Sequence, residues 1–341
     1  MRASLRRLAR SRGAQPLLAA AATVLERGGR RGPLDVAIVN YHRVDEHDAR
    51  PYLHPGLISA TPAAFEAQLV ELARRTSPVA LVDLLAAVRG ERRLPDRPLL
   101  VTVDDGYEDF SEHAWPRLRR LGIPVTLFVA TAYPGEPRRR FWWDRLSHAL
   151  RTTSRQRFEA DGVTYDLDGE AARLAAFRKL RTVLKASAHE DAMVMVDAWC
   201  DTLGLPDAPS GILGWAALRS LAAEGVTMAA HTRTHPLLTR VDAEVMAAEV
   251  QGSREDLVRE LGPVPPAFAY PSGAHDDDVV EAVGGLGFEL AFTTIRGLVD
   301  LRRPDPLRMR RINIGGGTSL AALRLQLIRG VGAPLAALDR D

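Results

Sequence analysis

Two adjacent acidic residues at the end of an apolar run are the first candidates for chemistry. Asp104 and Asp105 follow LLVTV, and Gly106 after them allows the backbone to turn sharply. Because successive side chains of an extended chain diverge, one carboxylate can bind a cation while the other accepts a proton. An Asp that precedes a helix is also a common N-cap. The pair alone therefore decides neither for a site nor for a cap.

Two histidines follow a second apolar run, VTMAA. His231 and His235 stand four residues apart, an interval that suits two metal ligands on one turn. Together with the Asp pair they supply two imidazoles and a carboxylate. Both pairs lie at the carboxyl ends of predicted strands, where barrel enzymes assemble their sites. Three protein ligands leave positions for water and substrate, which is typical of a catalytic metal site.

Two further segments place polar groups after predicted strands. In FAYPSG, Pro271, Ser272 and Gly273 form a tight turn that can direct a backbone N–H into a site. In NYHRV, His42 closes the first predicted strand and is a candidate acid for a leaving group. The alternative for His42 is a hydrogen-bonded structural histidine.

The elements that position these residues alternate between strands and helices. Seven runs rich in Val, Ile, Leu and Phe are separated by segments with helical spacing. Several runs are apolar on both faces, which is typical of strands buried between layers of helices. The pattern predicts an α/β fold, an incomplete or distorted barrel. The predicted strands are DVAIVNYHRV, LLVTVDDG, PVTLFVA, VTMAAHT, AFAYPSG, LAFTTI and MRRINI, and predicted helices include 62–75, 79–89, 109–121 and 241–261.

The alternation stops between residues 133 and 213, where three segments have helical spacing and no strand is predicted. This insertion lies between two strands whose carboxyl ends carry candidate residues, so we expect it to overhang the same rim. The predicted organisation is a basic N-terminal helical segment, 1–33, followed by the barrel, 34–330, which carries the helical insertion 133–213.

Composition narrows the class of protein. Hydrophobic residues make up 46% of the 341 residues and charged ones 26%, which indicates a globular protein with a sizeable core. The net charge of +2 gives no nucleic-acid footprint. Cys200 is the only cysteine, so no internal disulfide forms, and a reducing cytoplasm fits.

The N-terminal segment imitates a secretory signal without matching one. A basic stretch precedes a short apolar run, but charged residues occupy the expected cleavage site and the run is too short to cross a bilayer. We predict an amphipathic basic helix over Ser4 to Leu25 that either caps the domain or contacts an anionic membrane surface. We therefore expect a protein in the cytoplasm or peripheral at the inner membrane, in preference to a secreted or periplasmic one.

These motifs resemble the polysaccharide deacetylase family, also called carbohydrate esterase family four or the NodB homology domain. The resemblance covers residues 34–314 outside the insertion and rests on T-x-D-D and H-T-x-x-H in the family's order. It implies that Asp104 is the catalytic base and that Asp105, His231 and His235 bind a divalent metal. It also implies a deformed (β/α) barrel of about seven strands and a hydrolase that removes N-acetyl groups from an amino-sugar polysaccharide, oligosaccharide or glycan precursor.

The third motif of the family departs from its usual form. Where the family has Arg-x-Pro-Tyr, this chain has Ala269 at the arginine position and Ser272 at the tyrosine position. The resemblance implies that the backbone N–H of Ser272 serves in the oxyanion hole. We expect the missing arginine, which orients the catalytic Asp, to come from MRRINI, with Arg311 the first choice and Arg310 the next.

The general acid departs from the family pattern as well. No histidine follows His275, so the family's late Leu-x-His has no counterpart. A branch of the family that acts on poly-N-acetylglucosamine exopolysaccharides takes its acid from an early Tyr-His motif. YHRV matches that branch, and the resemblance therefore implies that His42 is the acid.

Other interpretations stay open on the sequence alone. A two-histidine, one-carboxylate set also describes non-haem iron oxygenases, although these do not need the neighbouring Asp. A glycan-binding module on a catalytically impaired fold and a deacylase or deformylase of a lipid-linked sugar keep the same residues. The ligand set suits Zn²⁺, with Co²⁺, Ni²⁺ or Fe²⁺ as alternatives. Phe141, Trp142, Trp143 and Trp215 form either a sugar-stacking platform or part of the insertion's core. The expected partner is an N-acetylated glycan, and the oligomeric state is not predicted.

Overall fold

The structure is a computed structural model that describes residues 20, 22–24 and 34–328. Of the predicted N-terminal helix, Ser4 to Leu25, only residues 20 and 22–24 are described, and the rest lies outside the described residues. Its described part packs on the last described helix: Ala22 contacts Leu325 and Ile328, and Arg324 donates a hydrogen bond to Thr23 at 2.9 Å. No described helix is long and apolar enough to cross a membrane.

Strands and helices alternate along most of the described chain. The strands are β1 (Asp35–Tyr41), β2 (Arg43–Val44), β3 (Ile58–Ala60), β4 (Ser77–Pro78), β5 (Pro98–Val103), β6 (Val125–Val129), β7 (Arg157–Ala160), β8 (Val163–Asp166), β9 (Thr227–Ala230), β10 (Ala267–Ala269), β11 (Leu290–Phe292), β12 (Val299–Asp300) and β13 (Ile312–Asn313). The helices are α1 (Pro62–Arg75), α2 (Leu81–Val88), α3 (Trp115–Arg120), α4 (Trp142–Thr152), α5 (Gly169–Ala186), α6 (His189–Leu203), α7 (Trp215–Ala223), α8 (Ala243–Leu261), α9 (Asp277–Gly285) and α10 (Leu320–Gln326).

Seven parallel strands form a curled, incomplete barrel. Their order is β11-β10-β9-β6-β5-β1, and β13 pairs with the other edge of β1. Phe292 in β11 also bridges Met309, just before β13, so the curl returns close to its start. These are the seven strands that the sequence predicts, and the deformed (β/α) barrel is confirmed. The predicted run DVAIVNYHRV is divided into β1 and β2, and the short strands β3, β4 and β12 were not predicted, because two or three residues show no periodicity.

Alternate residues of each barrel strand face two different cores. Side chains such as Ile38 and Leu100 point into the barrel, where they pack with Phe128 and Met309. Their neighbours along the strands pack against the outer helices in a separate cluster. The strands β1, β5 and β6 are buried along their whole length, as expected for strands covered on both faces.

Helix α1 shows how local sequence sets an element. Thr61 caps it by accepting a hydrogen bond from the backbone N–H of Ala64 at 3.3 Å, and Pro62 occupies the first turn. Phe65, Leu69 and Leu72 lie on one face and are buried in the outer core. The predicted helix 109–121 differs, since the structure has a π-helical turn at Phe110–Ala114 followed by α3. A proline follows that turn, at position 116, and its missing N–H disrupts the α-helical ladder.

The insertion contains helices α4, α5 and α6 together with an antiparallel hairpin of β7 and β8. The prediction of no strand in this region was wrong. Phe158 and Ala160 are buried while their neighbours are exposed, which is strand periodicity, and Asp161 and Gly162 form the turn with φ of 51° and 73°. Asp-Gly is the usual pair for such a turn. Four residues of alternation were too short to identify beside three long helices.

Candidate active site

The predicted site residues lie at the carboxyl ends of the barrel strands. His42 follows β1, Asp104 and Asp105 follow β5, and His231 follows β9, with His235 four residues later. Because the strands are parallel, these ends share one rim. The two Asp residues and the two later histidines are buried.

Asp105, His231 and His235 converge on one point. The carboxylate Oδ1 of Asp105 lies 3.5 Å from the Nε2 atom of each histidine. The three candidate ligand atoms all lie within 4.8 Å of one another. Asp105 Oδ1 and His231 Nε2 are buried and make no hydrogen bond. Two imidazoles and a carboxylate that leave buried atoms unpaired and facing each other fit a divalent metal.

The hydrogen bond made by His231 fixes which nitrogen is available. Its Nδ1 atom lies 2.7 Å from the carbonyl oxygen of Ala269, and a carbonyl only accepts, so Nδ1 carries the proton. The lone pair of Nε2 then faces Asp105. Burial alone lowers the pKa of His231, but the adjacent Asp105 outweighs it and raises that pKa. A positive charge in this gap is therefore favoured, and a metal ion with this outer hydrogen bond is the common arrangement.

Backbone strain at the site supports a functional role for these positions. Asp105, Thr232 and His235 adopt positive φ of 76°, 64° and 62°, which favours glycine. The backbone N–H of His235 donates to Thr232 Oγ1 at 3.0 Å and holds this turn. Burial lowers the pKa of His235 to about 3, with the neighbouring His231 adding to the effect. His235 is therefore neutral at neutral pH, which is the form that binds metal.

Asp104 is held by two donors. Arg311 Nη1 donates to its Oδ1 at 2.8 Å and Asn40 Nδ2 donates to its Oδ2 at 2.9 Å. Burial alone raises the pKa of Asp104, but the Arg311 charge outweighs it and holds that pKa well below its usual range. His42 Nε2 lies 4.0 Å from Oδ2, and the His42 side chain is 27% exposed. An ionised carboxylate thus stands between a fixed arginine and an accessible imidazole.

Asn40 is part of the site and was not predicted. Its Oδ1 accepts hydrogen bonds from Arg311 at 2.9 Å and from Thr102 Oγ1 at 2.8 Å. The signal was a polar residue inside the apolar run DVAIVNY. Every second residue before Asn40 and Thr102 faces the barrel interior, and these two are paired in the sheet register. Asn40 and Thr102 are the last inward-facing residues of β1 and β5, and Asp104 lies directly beyond them, where Asn40 contacts it.

Comparison with known proteins bears on this site. The family model described as polysaccharide deacetylase matches residues 91–291 of the 341. The chain belongs to the polysaccharide deacetylase family. The matched range contains the Asp pair and both candidate metal-binding histidines, and it excludes His42 and Arg311. A search of curated protein sequences finds no match.

Solved deacetylase structures share the fold. The Streptococcus pyogenes deacetylase PplD, in complex with acetate, aligns with a TM-score of 0.59 at 18% identity, covering 87% of this chain and 100% of that one. IcaB from Ammonifex degensii aligns with a TM-score of 0.55 at 18% identity, covering 87% and 98%. The BpsB deacetylase domain from Bordetella bronchiseptica gives 0.50 at 15%, covering 83% and 97%. At these identities the likeness concerns the fold.

In this deacetylase the arginine that contacts Asp104 comes from the closing strand of the barrel. Arg311 is wholly buried, and Met309, two residues earlier, faces the barrel interior. Arg310 points the other way, is exposed, and donates to the carbonyl of Arg296 at 3.3 Å. Of the two arginines considered from the sequence, Arg311 is thus the one placed to orient Asp104.

The two arginines provide a matched pair of variants. We expect Arg311→Met to lower kcat about 10²-fold with little change in KM, because a misplaced base reacts slowly. We also expect a loss of about 3 kcal/mol in unfolding free energy, since Asp104 loses its buried counter-charge. Arg310→Met should change neither. Steady-state kinetics and urea unfolding of both variants test this, and equal effects would contradict the assignment of Arg311 as the positioning residue.

The third-motif turn lies at the edge of the cleft. Ser272 has φ of 55°, its Oγ accepts a hydrogen bond from Lys185 Nζ at 3.1 Å, and its carbonyl accepts one from Thr294 at 3.3 Å. Gly273 allows close packing here, because an added Cβ would lie 2.1 Å from Thr294 Oγ1. Ser272 of this turn and His235 line one narrow cleft.

The four aromatic residues considered as a sugar-stacking platform lie in different surroundings. Phe141 and Trp143 are buried in the insertion's core and stack on each other, with ring centroids 4.4 Å apart. The Trp143 ring also lies 4.7 Å from that of His235. Trp142 and Trp143 line the cleft. Trp215 packs against the hydrophobic core that lies between the barrel strands and the outer helices. The four therefore form no single platform.

Proposed function

We propose that this protein is a metal-dependent N-deacetylase that acts on an amino-sugar polysaccharide, oligosaccharide or glycan precursor. The observation that carries the proposal is that two groups of residues lie together on one rim of the barrel. One is Asp104, ionised and fixed by Arg311. The other is the convergence of Asp105, His231 and His235 with buried, unpaired ligand atoms. A hydrolase uses both, as base and as metal site.

The protein's own groups supply the remaining steps. Asp105, His231 and His235 would hold the metal, with Zn²⁺ the best match to imidazole and carboxylate ligands and Co²⁺, Ni²⁺ or Fe²⁺ as alternatives. A bound metal would polarise the acyl carbonyl of the substrate and lower the pKa of a water molecule. Asp104 takes the proton of the attacking water.

The oxyanion and the leaving group have their own donors. In the Pro271–Gly273 turn the two backbone hydrogen bonds come from Gly273 and Ala274. We assign the N–H of Ser272, which makes neither bond, to the oxyanion, where one such donor contributes about 3 kcal/mol. His42 protonates the departing amine, which is a poor leaving group without that proton.

Acetate release tests the proposal. Metal-loaded protein should release acetate from N-acetylglucosamine oligomers, and both chelation and the Asp104→Asn change should abolish the release. Failure to release acetate, with metal shown to be bound, would count against N-acetyl hydrolysis and favour the alternative of formyl or lipid-linked substrates. The expected cytoplasmic or inner-membrane location is also a proposal, which cell fractionation tests.

The acid role of His42 predicts a dependence on the leaving group. We expect His42→Gln to lower kcat about 10²-fold on N-acetyl sugars, because an amine must be protonated as it departs. On p-nitrophenyl acetate the loss should be small, since that phenolate leaves without a proton. Parallel kinetics on the two substrates measure the difference. Equal losses on both would assign His42 to another role.

A further inference from the structure

Two cationic side chains from separate parts of the chain line the cleft beside the candidate site. Lys185 lies in the last turn of α5, in the insertion, and Arg240 ends a short 3₁₀ helix that follows β9. Both line the cleft that contains His235 and Ser272. Both also line an adjoining open groove, together with Arg181. The cleft and the groove therefore meet at these two cations.

Neither cation is neutralised within the part of the chain that the structure describes. No described carboxylate oxygen lies within 4.0 Å of the Lys185 or Arg240 side-chain nitrogens. The polar partner of Lys185 is the Ser272 hydroxyl, at 3.1 Å. The nearby carboxylate of Glu249 instead accepts hydrogen bonds from the backbone of Arg233 and Thr234. Two cations without a described carboxylate partner therefore line the cleft.

The two α5 cations at this end of the groove repel each other. Arg181 and Lys185 are like charges four residues apart on one helix, a spacing at which they repel. Burial and the Arg181 charge both lower the pKa of Lys185. The helix dipole favours cations in the last turn of α5, which accounts for Lys185. It does not account for Arg240, which approaches from the barrel side.

We propose that the glycan carries a negative charge, a phosphate or a carboxylate, on the N-acylated sugar or on its neighbour, and that Lys185 and Arg240 bind it. This rests on the proposed function and specifies its substrate class. Charge-assisted hydrogen bonds from two directions fix an anion in position as well as bind it. Because Lys185 contacts the Ser272 turn, the bound anion lies close to the reacting acyl group.

Three substrates of matched length test this: a neutral N-acetylglucosamine oligomer, the same oligomer with a terminal 1-phosphate, and an oligomer in which N-acetylglucosamine alternates with glucuronic acid. Acetate release gives kcat/KM for each. We expect at least one anionic oligomer to be preferred over the neutral one by about tenfold. The preference should shrink at high salt. Which anion gives the larger ratio identifies the source of the charge.

Variants of the two cations complete the test. Lys185→Gln and Arg240→Gln should each lower the anionic-to-neutral ratio of kcat/KM by about tenfold. Lys179→Gln is the matched control, because Lys179 is exposed on the same helix and does not line the cleft. Its ratio should stay that of the unaltered protein. Melting temperatures confirm that each variant folds.

The failures of the two proposals are distinguishable. Equal release from neutral and anionic oligomers by the unaltered protein overturns the anionic substrate and leaves the deacetylase function standing. An anionic preference that survives both Gln substitutions overturns the assignment to Lys185 and Arg240. No release from any of the three substrates, with metal bound, overturns the proposed function and this inference with it.

Discussion

Asp104→Asn is expected to lower kcat by about 10³-fold while the protein still binds its metal, because an amide cannot accept the proton of the attacking water. Asn has the same shape as Asp, so the cleft keeps its form. The Asp105, His231 and His235 ligand set is unchanged. Single-turnover acetate release, together with metal content after dialysis, measures the two properties separately.

The unfolding free energy of Asp104→Asn must be measured as well, because the substitution also removes a hydrogen-bond acceptor. Arg311 and Asn40 both donate to the Asp104 carboxylate, and an amide presents only one acceptor. We therefore expect a loss of about 1–3 kcal/mol in unfolding free energy. Asp109→Asn is a matched control, because the buried Asp109 carboxylate accepts from Arg43 at 3.1 Å and from the Val44 N–H at 2.8 Å. That variant should lose stability and keep its kcat. Unimpaired turnover by Asp104→Asn would exclude Asp104 as the base.

The sequence predicted candidate site residues where a polar residue directly follows an apolar run, and it missed Asn40, which lies inside one. Asp104 and His231 stand after runs whose burial is unambiguous, and parallel strands necessarily bring such ends to one rim. The seven barrel strands were identified for the same reason. A short, mostly apolar segment between helical segments is typical of a buried strand.

The sequence did not predict contacts between side chains that are far apart in the chain. Asn40 and Arg311 are 271 positions apart and meet only because β13 closes the barrel against β1. No spacing rule joins them. The inward-facing alternation that separates Arg311 from Arg310 depends on where β13 pairs, and two residues of strand carry no periodicity. The hairpin of the insertion was missed for the related reason that its strands are short, although Asp161 and Gly162 marked the turn.

Removing either candidate metal-binding histidine should remove the metal. We expect His231→Ala and His235→Gly to weaken metal affinity by more than about 100-fold, since even an outer hydrogen-bond partner contributes 10–100-fold. Glycine is chosen at position 235 because it adopts the observed φ of 62° without strain. The imidazole is thereby lost without a penalty in the backbone. Equilibrium dialysis with Zn²⁺, followed by elemental analysis, gives the stoichiometry.

The control for the histidine variants is another imidazole of the same cleft. His189 lines the cleft but is not one of the three converging ligands, so His189→Ala should retain the metal at full stoichiometry. In the absence of metal, His231→Ala should change stability less than in its presence, because metal binding stabilises only a protein that retains its ligands. Full metal content in both His231→Ala and His235→Gly would refute the ligand set. It would also remove the reason that Asp105 Oδ1 and His231 Nε2 are buried without partners, because those atoms would then face each other with nothing to offset their repulsion.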